Sequence, residues 1–277
     1  MFKDMTLGQF YPGDSFLHKA DPRIKILCLL LFLVLTLCAG NLASLALVVL
    51  TTVLLAIVSR IPVSVLLRSL KPVVVILIFT GIINVFFTTG QTPLWEWHFL
   101  HIYPEGIRTA LFMMVRLICL VSGCSLLLSF TTSPLELTDA LESLLSPLKV
   151  LHVPVHEFSM MMTIALRFIP TLMEETDKII SAQKARGADL DSGRLIQKVR
   201  ALVPILIPLF VSAFRRADEL ADAMECRCYH GGKGRTKLHV LRAGFSDILF
   251  LIVMGGVLAG VICCNHLVQW TLWGITL

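Results

Sequence analysis

Residues 72–88 read PVVVILIFTGIINVFFT, a stretch without a charged side chain. A stretch of this length and composition is typical of a helix that crosses the hydrocarbon core of a membrane. Comparable apolar runs occupy residues 26–39, 42–57, 109–130 and 248–264. The first two are short for a hydrocarbon core of about 30 Å, so we expect them to form a hairpin that turns at Gly40-Asn41. The sequence therefore predicts an all-α, polytopic membrane protein with about five transmembrane helices.

The overall composition also indicates a lipid environment. Of the 277 residues, 56% are hydrophobic and 16% are charged, and the mean hydropathy is +0.81. Such a chain has too little polar surface to cover an ordinary soluble globule. The net charge is +5, but the basic residues flank apolar runs instead of forming a solvated stripe with aromatic residues. We therefore expect contact with the lipid bilayer and no binding of nucleic acid.

The positions of Lys and Arg predict the orientation. Basic residues precede the first apolar run and lie between the second and third, whereas the first turn and the tail after residue 264 carry none. Cytoplasmic loops are the ones enriched in Lys and Arg. We therefore predict a multi-pass protein of the cell membrane, with its amino terminus in the cytoplasm and, after five spans, its carboxyl terminus outside.

Two features within the spans have competing interpretations. Arg116 is costly in hydrocarbon, and we expect it to snorkel or to pair locally rather than to line an ion path. Gly256 and Gly260 have the small-xxx-small spacing that allows close helix packing, but coincidence explains this spacing equally well.

Residues 132–243 differ in composition from the spans, because charges of both signs become frequent there. Ser133-Pro134 with Glu136 predicts a helix start, and Ser146-Pro147 predicts its end. A second helix is predicted from about residue 154 to 186. A third is predicted from about residue 195 to 227, interrupted at Pro204 and Pro208.

Two short apolar stretches, residues 158–165 and 202–214, raise the question of further spans. If both crossed the membrane, the basic segment between them would lie outside, against the usual distribution of positive charge. We therefore expect these helices in the cytoplasm or at its membrane interface. The chain then divides into four spans in residues 1–131, cytoplasmic or interfacial helices in residues 132–243, and a last span with an outer tail in residues 244–277.

The second and third of these helices have similar ends. Residues 177–187, DKIISAQKARG, align without gaps with residues 218–228, DELADAMECRC. The alignment pairs Arg186 with Arg227. Ordinary helix capping would explain either end alone. Two matched ends instead suggest two projections that enter two similar pockets.

Together these segments resemble the transmembrane T component, EcfT, of energy-coupling factor transporters. The resemblance covers nearly the whole chain, and the matching segments are residues 17–23 (LHKADPR), 131–137 (TTSPLEL), 166–170 (LRFIP), 185–187 (ARG), 223–227 (AMECR) and 234–236 (GRT). It implies that two cytoplasmic ATP-binding subunits, A and A′, dock on the helix ends that carry arginine. It also implies that a separate membrane S component captures a vitamin or a metal ion, and that this chain joins the subunits without being an enzyme.

The resemblance also assigns coupling residues. The first coupling site comprises Ala185, Arg186 and Gly187, and the second comprises Glu225, Cys226, Arg227 and Cys228. The second site departs from the expected Ala-Arg-Gly, because cysteines flank its arginine. Cys in place of Gly would be strained at a positive φ.

The sequence gives little support for bound cofactors. It has no phosphate loop of the form Gly-x-x-x-x-Gly-Lys-Ser/Thr, which residues 231–236 resemble only in composition. Cys226, Cys228 and His230 alternate, but no second pair of ligands follows and zinc sites usually have a different spacing. We therefore expect neither a metal nor another cofactor.

Two alternative functions are an intramembrane enzyme and a secondary carrier or channel. His152, His156 and Glu157 lie close together in the sequence, but they form no His-Glu-x-x-His motif, and helix initiation explains the histidines better. A carrier or channel would be expected to place more ionisable residues at mid-span, where only Arg116 qualifies.

Overall fold

The computed structural model describes residues 10–88, 95–97, 100–151, 153–188, 195–231 and 243–273. Within these ranges the chain is helical apart from its connections and a short antiparallel hairpin, in which β1 (Trp95–Trp97) pairs with β2 (Leu100–Ile102). The predicted all-α, polytopic class is confirmed.

The structure describes ten α-helices in its ranges of the chain. They are α1 (Phe16–Lys19), α2 (Pro22–Cys38), α3 (Leu42–Ser59), α4 (Val63–Leu70), α5 (Val74–Phe87), α6 (Pro104–Cys124), α7 (Pro134–Leu144), α8 (Val155–Ala185), α9 (Leu195–Cys226) and α10 (Phe245–Trp273). A turn of 3-10 helix, Lys71–Val73, joins α4 to α5, and a π-helical segment, Ser125–Ser129, extends α6.

In the described part of the chain, four helical stretches are long and apolar enough to cross a membrane. These are Leu42–Ser59, Val63–Phe87, Pro104–Ser129 and Phe245–Leu267. They include most of four of the five predicted runs. The remaining run, residues 26–39, lies in α2, which has 17 residues and packs against α6 and α10. The total of five spans stays a prediction.

The described residues form two compact units. The membrane unit comprises residues 10–137 and 243–273, and the helical unit comprises residues 138–231. The functional division into residues 1–131, 132–243 and 244–277 stays a prediction.

The core of the membrane unit depends on a close approach of α2 to α6. Phe32 of α2 is fully buried, and its ring lies against Gly123 of α6. A Cβ atom at position 123 would lie 2.1 Å from Cε1 of this ring. Glycine is therefore required at position 123 for the two helices to pack.

The outer surface of the membrane unit is apolar. Side chains such as Val75 (72% exposed) and Phe87 (80% exposed) face outward, as in a lipid-facing surface.

Arg116 pairs locally, as expected. Its Nε donates to the carbonyl oxygen of Thr36 (2.9 Å), and its Nη2 donates to those of Leu37 (2.5 Å) and Ala39 (2.6 Å). These carbonyls belong to the end of α2, where backbone acceptors lack partners within the helix. Arg116 therefore caps α2 at the predicted hairpin turn.

The glycines of α10 make no close helix contact within the described chain. A Cβ atom at Gly256 would meet open space, and one at Gly260 would lie 3.9 Å from Leu47. Their spacing is therefore not used for tight packing inside this unit.

Lys25 joins two of the segments that carry the family resemblance, since its Nζ donates to the carbonyl oxygen of His18 (3.4 Å) in the first of them. Its side chain is fully buried. Its Nζ donates to the carbonyl oxygen of Thr131 (2.9 Å) and to Oγ1 of Thr132 (3.3 Å). The buried ammonium group therefore fixes the start of α2 to the residues just before α7.

The predicted start of α7 is confirmed by a capping box. The backbone N–H of Glu136 donates to Oγ of Ser133 (3.3 Å), and the N–H of Ser133 donates to the Glu136 carboxylate (3.2 Å).

The predicted interruption of the third helix is wrong, because α9 continues through Pro204 and Pro208. A proline at position 208 cannot donate to the carbonyl oxygen of Pro204, four residues earlier. That oxygen instead accepts a hydrogen bond from Nε2 of Gln183 in α8 (3.5 Å). A neighbouring helix thus compensates for one bond that the proline removes.

Candidate coupling sites

The helices α8 and α9 are antiparallel neighbours. Gln183, near the end of α8, contacts Pro204, in the first part of α9. Earlier in α8, Glu175 contacts Ser212 and Arg216, which come later in α9. The predicted bounds of both helices, about 154–186 and 195–227, agree with α8 and α9 to within a residue.

The end of α8 has the hydrogen bonds of a Schellman motif. The N–H of Gly187 donates to the carbonyl oxygen of Lys184 (3.0 Å), and the N–H of Ala188 donates to that of Gln183 (3.0 Å). Gly187 has a φ of 83°, in the left-handed region that this motif requires. Arg186 is the last residue before this reversal.

The end of α9 repeats this arrangement. The N–H of Cys228 donates to the carbonyl oxygen of Glu225 (2.9 Å), and the N–H of Tyr229 donates to that of Met224 (3.0 Å). Cys228 has a φ of 57°. A cysteine thus adopts the left-handed conformation that glycine adopts in the first site, and Arg227 takes the place of Arg186.

Both sites are open to solvent. All seven residues assigned to them, residues 185–187 and 225–228, are exposed. Neither guanidinium group makes an ion pair with another residue in the described ranges. Each arginine is therefore available to a partner.

The surroundings of the two sites differ. A cavity of about 500 Å³ adjoins Arg227 and is also lined by Met160, Ile164 and Tyr229. An apolar groove of about 420 Å³ between α8 and α9 shares Ile164 and Met224 with it. At the first site, Gly187 has no atom within 4 Å of the place of an added Cβ. The cavity gives the second site a concave surface beside Arg227.

The two sites lie at opposite ends of the α8 and α9 pair. Because the helices are antiparallel, Arg227 lies near Ile164 of α8, with which it lines the same cavity. The segment from residue 164 to residue 186, at about 1.5 Å per residue, is about 33 Å long. The arginines are therefore separated by most of the length of the helical pair.

Glu175 of α8 contacts Ser212 and Arg216 of α9. We call these three residues the Glu175 cluster. The Glu175 carboxylate accepts hydrogen bonds from Oγ of Ser212 and from Nη2 of Arg216 (3.1 Å). The Ser212 hydrogen bond chiefly, and then the positive charge of Arg216, lower the pKa of Glu175 below its ordinary value. This cluster could not be predicted from the sequence, since no local spacing connects residues so far apart in the chain.

His156, one of the residues considered for an intramembrane enzyme, pairs with Glu142 and not with Glu157 beside it. Its Nδ1 lies 3.0 Å from Oε1 of Glu142, and Ser159 donates to the other oxygen of that carboxylate (3.3 Å). Glu157 is exposed, and His152 lies outside the described residues. This pair is best explained as a structural contact that joins the start of α8 to α7.

Cys226, Cys228 and His230 are not assembled into a metal site. In the ranges that the structure covers, no three His, Cys, Asp or Glu side chains come together in a way that could hold a metal ion. Residues 232–236, which complete both the phosphate-loop likeness and the family resemblance, lie outside those ranges.

Comparison with known proteins identifies the family. Residues 13–238 match the family model CbiQ, cobalt transport protein. A protein of Clostridium kluyveri is 49% identical over 275 residues, which cover 99% of this chain and 100% of that protein. Proteins of Ruminiclostridium cellulolyticum (52% over 249 residues, 90% and 92% covered) and Bacillus subtilis (44% over 261 residues, 93% and 98% covered) are also similar. All three are named energy-coupling factor transporter transmembrane protein EcfT.

The apolar helices and these relatives define the class as a multi-pass membrane component of a transporter. The chain belongs to the EcfT family, the transmembrane proteins of energy-coupling factor transporters. The resemblance found in the sequence is thereby confirmed.

Proposed function

We propose that this chain couples two cytoplasmic ATP-binding subunits, A and A′, to a membrane S component that captures a vitamin or a metal ion for uptake. The observation that carries this proposal is the pair of exposed arginines, Arg186 and Arg227. They stand on helix ends of the same backbone design, at opposite ends of the α8 and α9 pair.

Arginine suits this role for a physical reason. Its guanidinium is a rigid fork of donors, so it can bind a carboxylate or several carbonyl oxygens in a groove and resist sideways displacement. The small side chain of Ala185 allows a groove to close around Arg186. When ATP binding draws A and A′ together, the two arginines are pushed as the subunits move, and α8 and α9 tilt or slide. ATP is hydrolysed by A and A′, and this chain has no catalytic role.

The apolar surface of α8 and α9 supports contact with a membrane partner. Phe210 and Phe214 of α9 are 60% and 68% exposed, and Met161 of α8 borders the apolar groove. Exposed apolar surface of this kind marks a contact with lipid or another protein. The S component lies against this surface and receives the movement of the two helices.

The proposed orientation places both coupling sites where ATP is available. The amino terminus is cytoplasmic, the carboxyl terminus lies outside, and the chain resides in the cell membrane.

The test replaces Arg186 and Arg227 together by Glu. The double variant reverses both charges without touching the spans, so it should insert in the membrane normally but no longer co-purify with the ATP-binding subunits or support uptake. The matched control is Arg215→Glu, which alters an exposed arginine of α9 outside both sites. Co-purification of the double variant at the level of the unaltered chain would refute the proposal. Substrate flux without ATP would instead indicate a carrier, and substrate turnover by the isolated chain would indicate an enzyme.

A further inference from the structure

A second cavity lies in the membrane unit, beside the turn between α2 and α3. It has a volume of about 410 Å³ and is lined by that turn and by α6. This volume is within the range of small-molecule sites. Among the described residues that line it, the charged ones are Arg108 and Arg116, and neither Asp nor Glu is present. The cavity is therefore a positively charged site in a membrane protein.

Arg116 is held in place by the protein but is not neutralised by it. Its Nε and Nη2 bind the carbonyl oxygens at the end of α2, which supply partial negative charge. Its guanidinium carbon also lies 5.6 Å from the centre of the Phe112 ring. No carboxylate in the described ranges pairs with it, so its net positive charge persists.

Arg108 lies eight residues earlier on α6 and lines the same cavity. Its side chain is exposed, and among the described residues it has neither a hydrogen-bond acceptor nor an ion-pair partner. Glu105, an acid one turn earlier, is exposed and forms no ion pair with it in the described structure. Within the part of the chain that the structure describes, Arg108 is therefore the free cation of the site.

The rest of the lining combines one polar end with apolar walls. Asn41 stands at the amino-terminal end of α3, where the helix dipole is positive. Leu37 and Leu42 also line the cavity, and each is 64% exposed on the outward surface. An occupant therefore meets both positive charge and apolar side chains in the lining.

Two cations in a membrane protein are costly without a counter-ion. Anionic lipids supply phosphate groups at the membrane surface, and basic pockets between spanning helices bind such head groups. We propose that this cavity binds the phosphate group of an anionic phospholipid, with Arg108 and Arg116 as ligands and the acyl chains against Leu37 and Leu42. A free phosphate ion would share the charge recognition but would leave the apolar walls unused. This inference does not depend on the coupling function proposed above.

The test uses the purified full chain in phosphatidylcholine nanodiscs that contain increasing fractions of phosphatidylglycerol. Native mass spectrometry after release would count the retained phosphatidylglycerol, and thermal unfolding would report its effect on stability. Arg108→Gln removes the free cation without disturbing the cap that Arg116 forms on α2. We expect this variant to bind phosphatidylglycerol about tenfold more weakly. Arg108→Lys should retain most of the binding, because it keeps the charge.

The matched control is Arg68→Gln, an exposed arginine at the other end of the spans and outside the cavity. It should bind phosphatidylglycerol like the unaltered chain. Equal binding by the unaltered chain and by Arg108→Gln would overturn the proposal. Stabilisation by inorganic phosphate that equals the effect of phosphatidylglycerol would also overturn it, since the site would then recognise an anion and not a lipid.

Discussion

Arg186 and Arg227 each stand one residue before a left-handed backbone position, at Gly187 and Cys228. The reversal of the chain at these positions ends the helix, so the arginine side chain projects from a fixed terminus. Glycine adopts this conformation readily, whereas other L-residues are strained by about 1–2 kcal/mol. The second coupling site is therefore built on a less favourable residue than the first.

We expect Cys228→Gly to stabilise the end of α9 by about 1 kcal/mol, because it removes the strain of the left-handed cysteine. Hydrogen exchange of the backbone amides at positions 228 and 229 should slow accordingly. Gly187→Cys should have the opposite effect at the end of α8. The control is Cys226→Ala, which removes a neighbouring thiol at an ordinary helical position. If hydrogen exchange also slowed in Cys226→Ala, the stabilisation would result from the loss of a thiol and not from the relief of backbone strain.

A second expectation at this scale concerns Lys25. Lys25→Met keeps the length of the side chain but leaves the carbonyl oxygen of Thr131 and the hydroxyl of Thr132 without their buried donor. An unsatisfied buried polar group costs about 1–3 kcal/mol, so the unfolding temperature of the purified chain should fall. Lys19→Met, which alters an exposed lysine nearby, should leave that temperature unchanged. A Lys25→Met chain as stable as the parent would mean that the buried network contributes little.

Among the helices, the contact between α8 and α9 depends on the protonation of Glu175. Its partners, Ser212 and then Arg216, favour the carboxylate and lower its pKa from the ordinary value of 4.5. A group whose pKa is lowered by folding stabilises the structure above its unfolded pKa. That contribution is lost as the pH falls through the folded pKa. The Glu175 cluster should therefore hold at neutral pH and weaken only in acid.

We expect Glu175→Gln to loosen the helical pair at neutral pH, because the amide cannot form an ion pair with Arg216. Distances between spin labels on α8 and α9 would show a broader distribution in this variant than in the parent. Lowering the pH below about 4 should broaden the distribution in the parent but not further in the variant. Glu174→Gln, on the exposed neighbouring residue, is the control. An unchanged distribution in Glu175→Gln would show that apolar packing alone joins the helices.

The same helices show what a sequence can predict at the level of elements. The bounds of α8 and α9 and the likeness of their ends follow from local patterns, such as the recurring Asp and Arg of residues 177–187 and 218–228. The continuity of α9 through its prolines does not follow from a local pattern, because the carbonyl oxygen freed by Pro208 is bound by Gln183 of another helix. The Glu175 cluster was missed for the same reason. Helix ends can be predicted from local sequence patterns, whereas contacts between helices produce no recognisable spacing of residues in the sequence.

On the scale of the whole molecule, the antiparallel arrangement separates Arg186 and Arg227, the two proposed coupling residues, by about 33 Å of helix. Two sites so far apart cannot both lie in one small pocket of a partner. They instead suit two subunits, or two separate surfaces of a dimer. A relative movement of those subunits would then push on opposite ends of the α8 and α9 pair and tilt it.

This arrangement can work only if both arginines face the compartment that contains ATP. We therefore expect Lys184→Cys, in a chain freed of its native cysteines, to react with a membrane-impermeant thiol reagent only after the membrane is opened. Glu105→Cys should react in intact cells, because the charge pattern predicts that the start of α6 lies outside. Both positions are exposed, so a difference in their labelling reports sidedness and not burial. Labelling of Lys184→Cys from outside would place the first coupling site beyond the reach of any cytoplasmic ATPase and would exclude the proposed function.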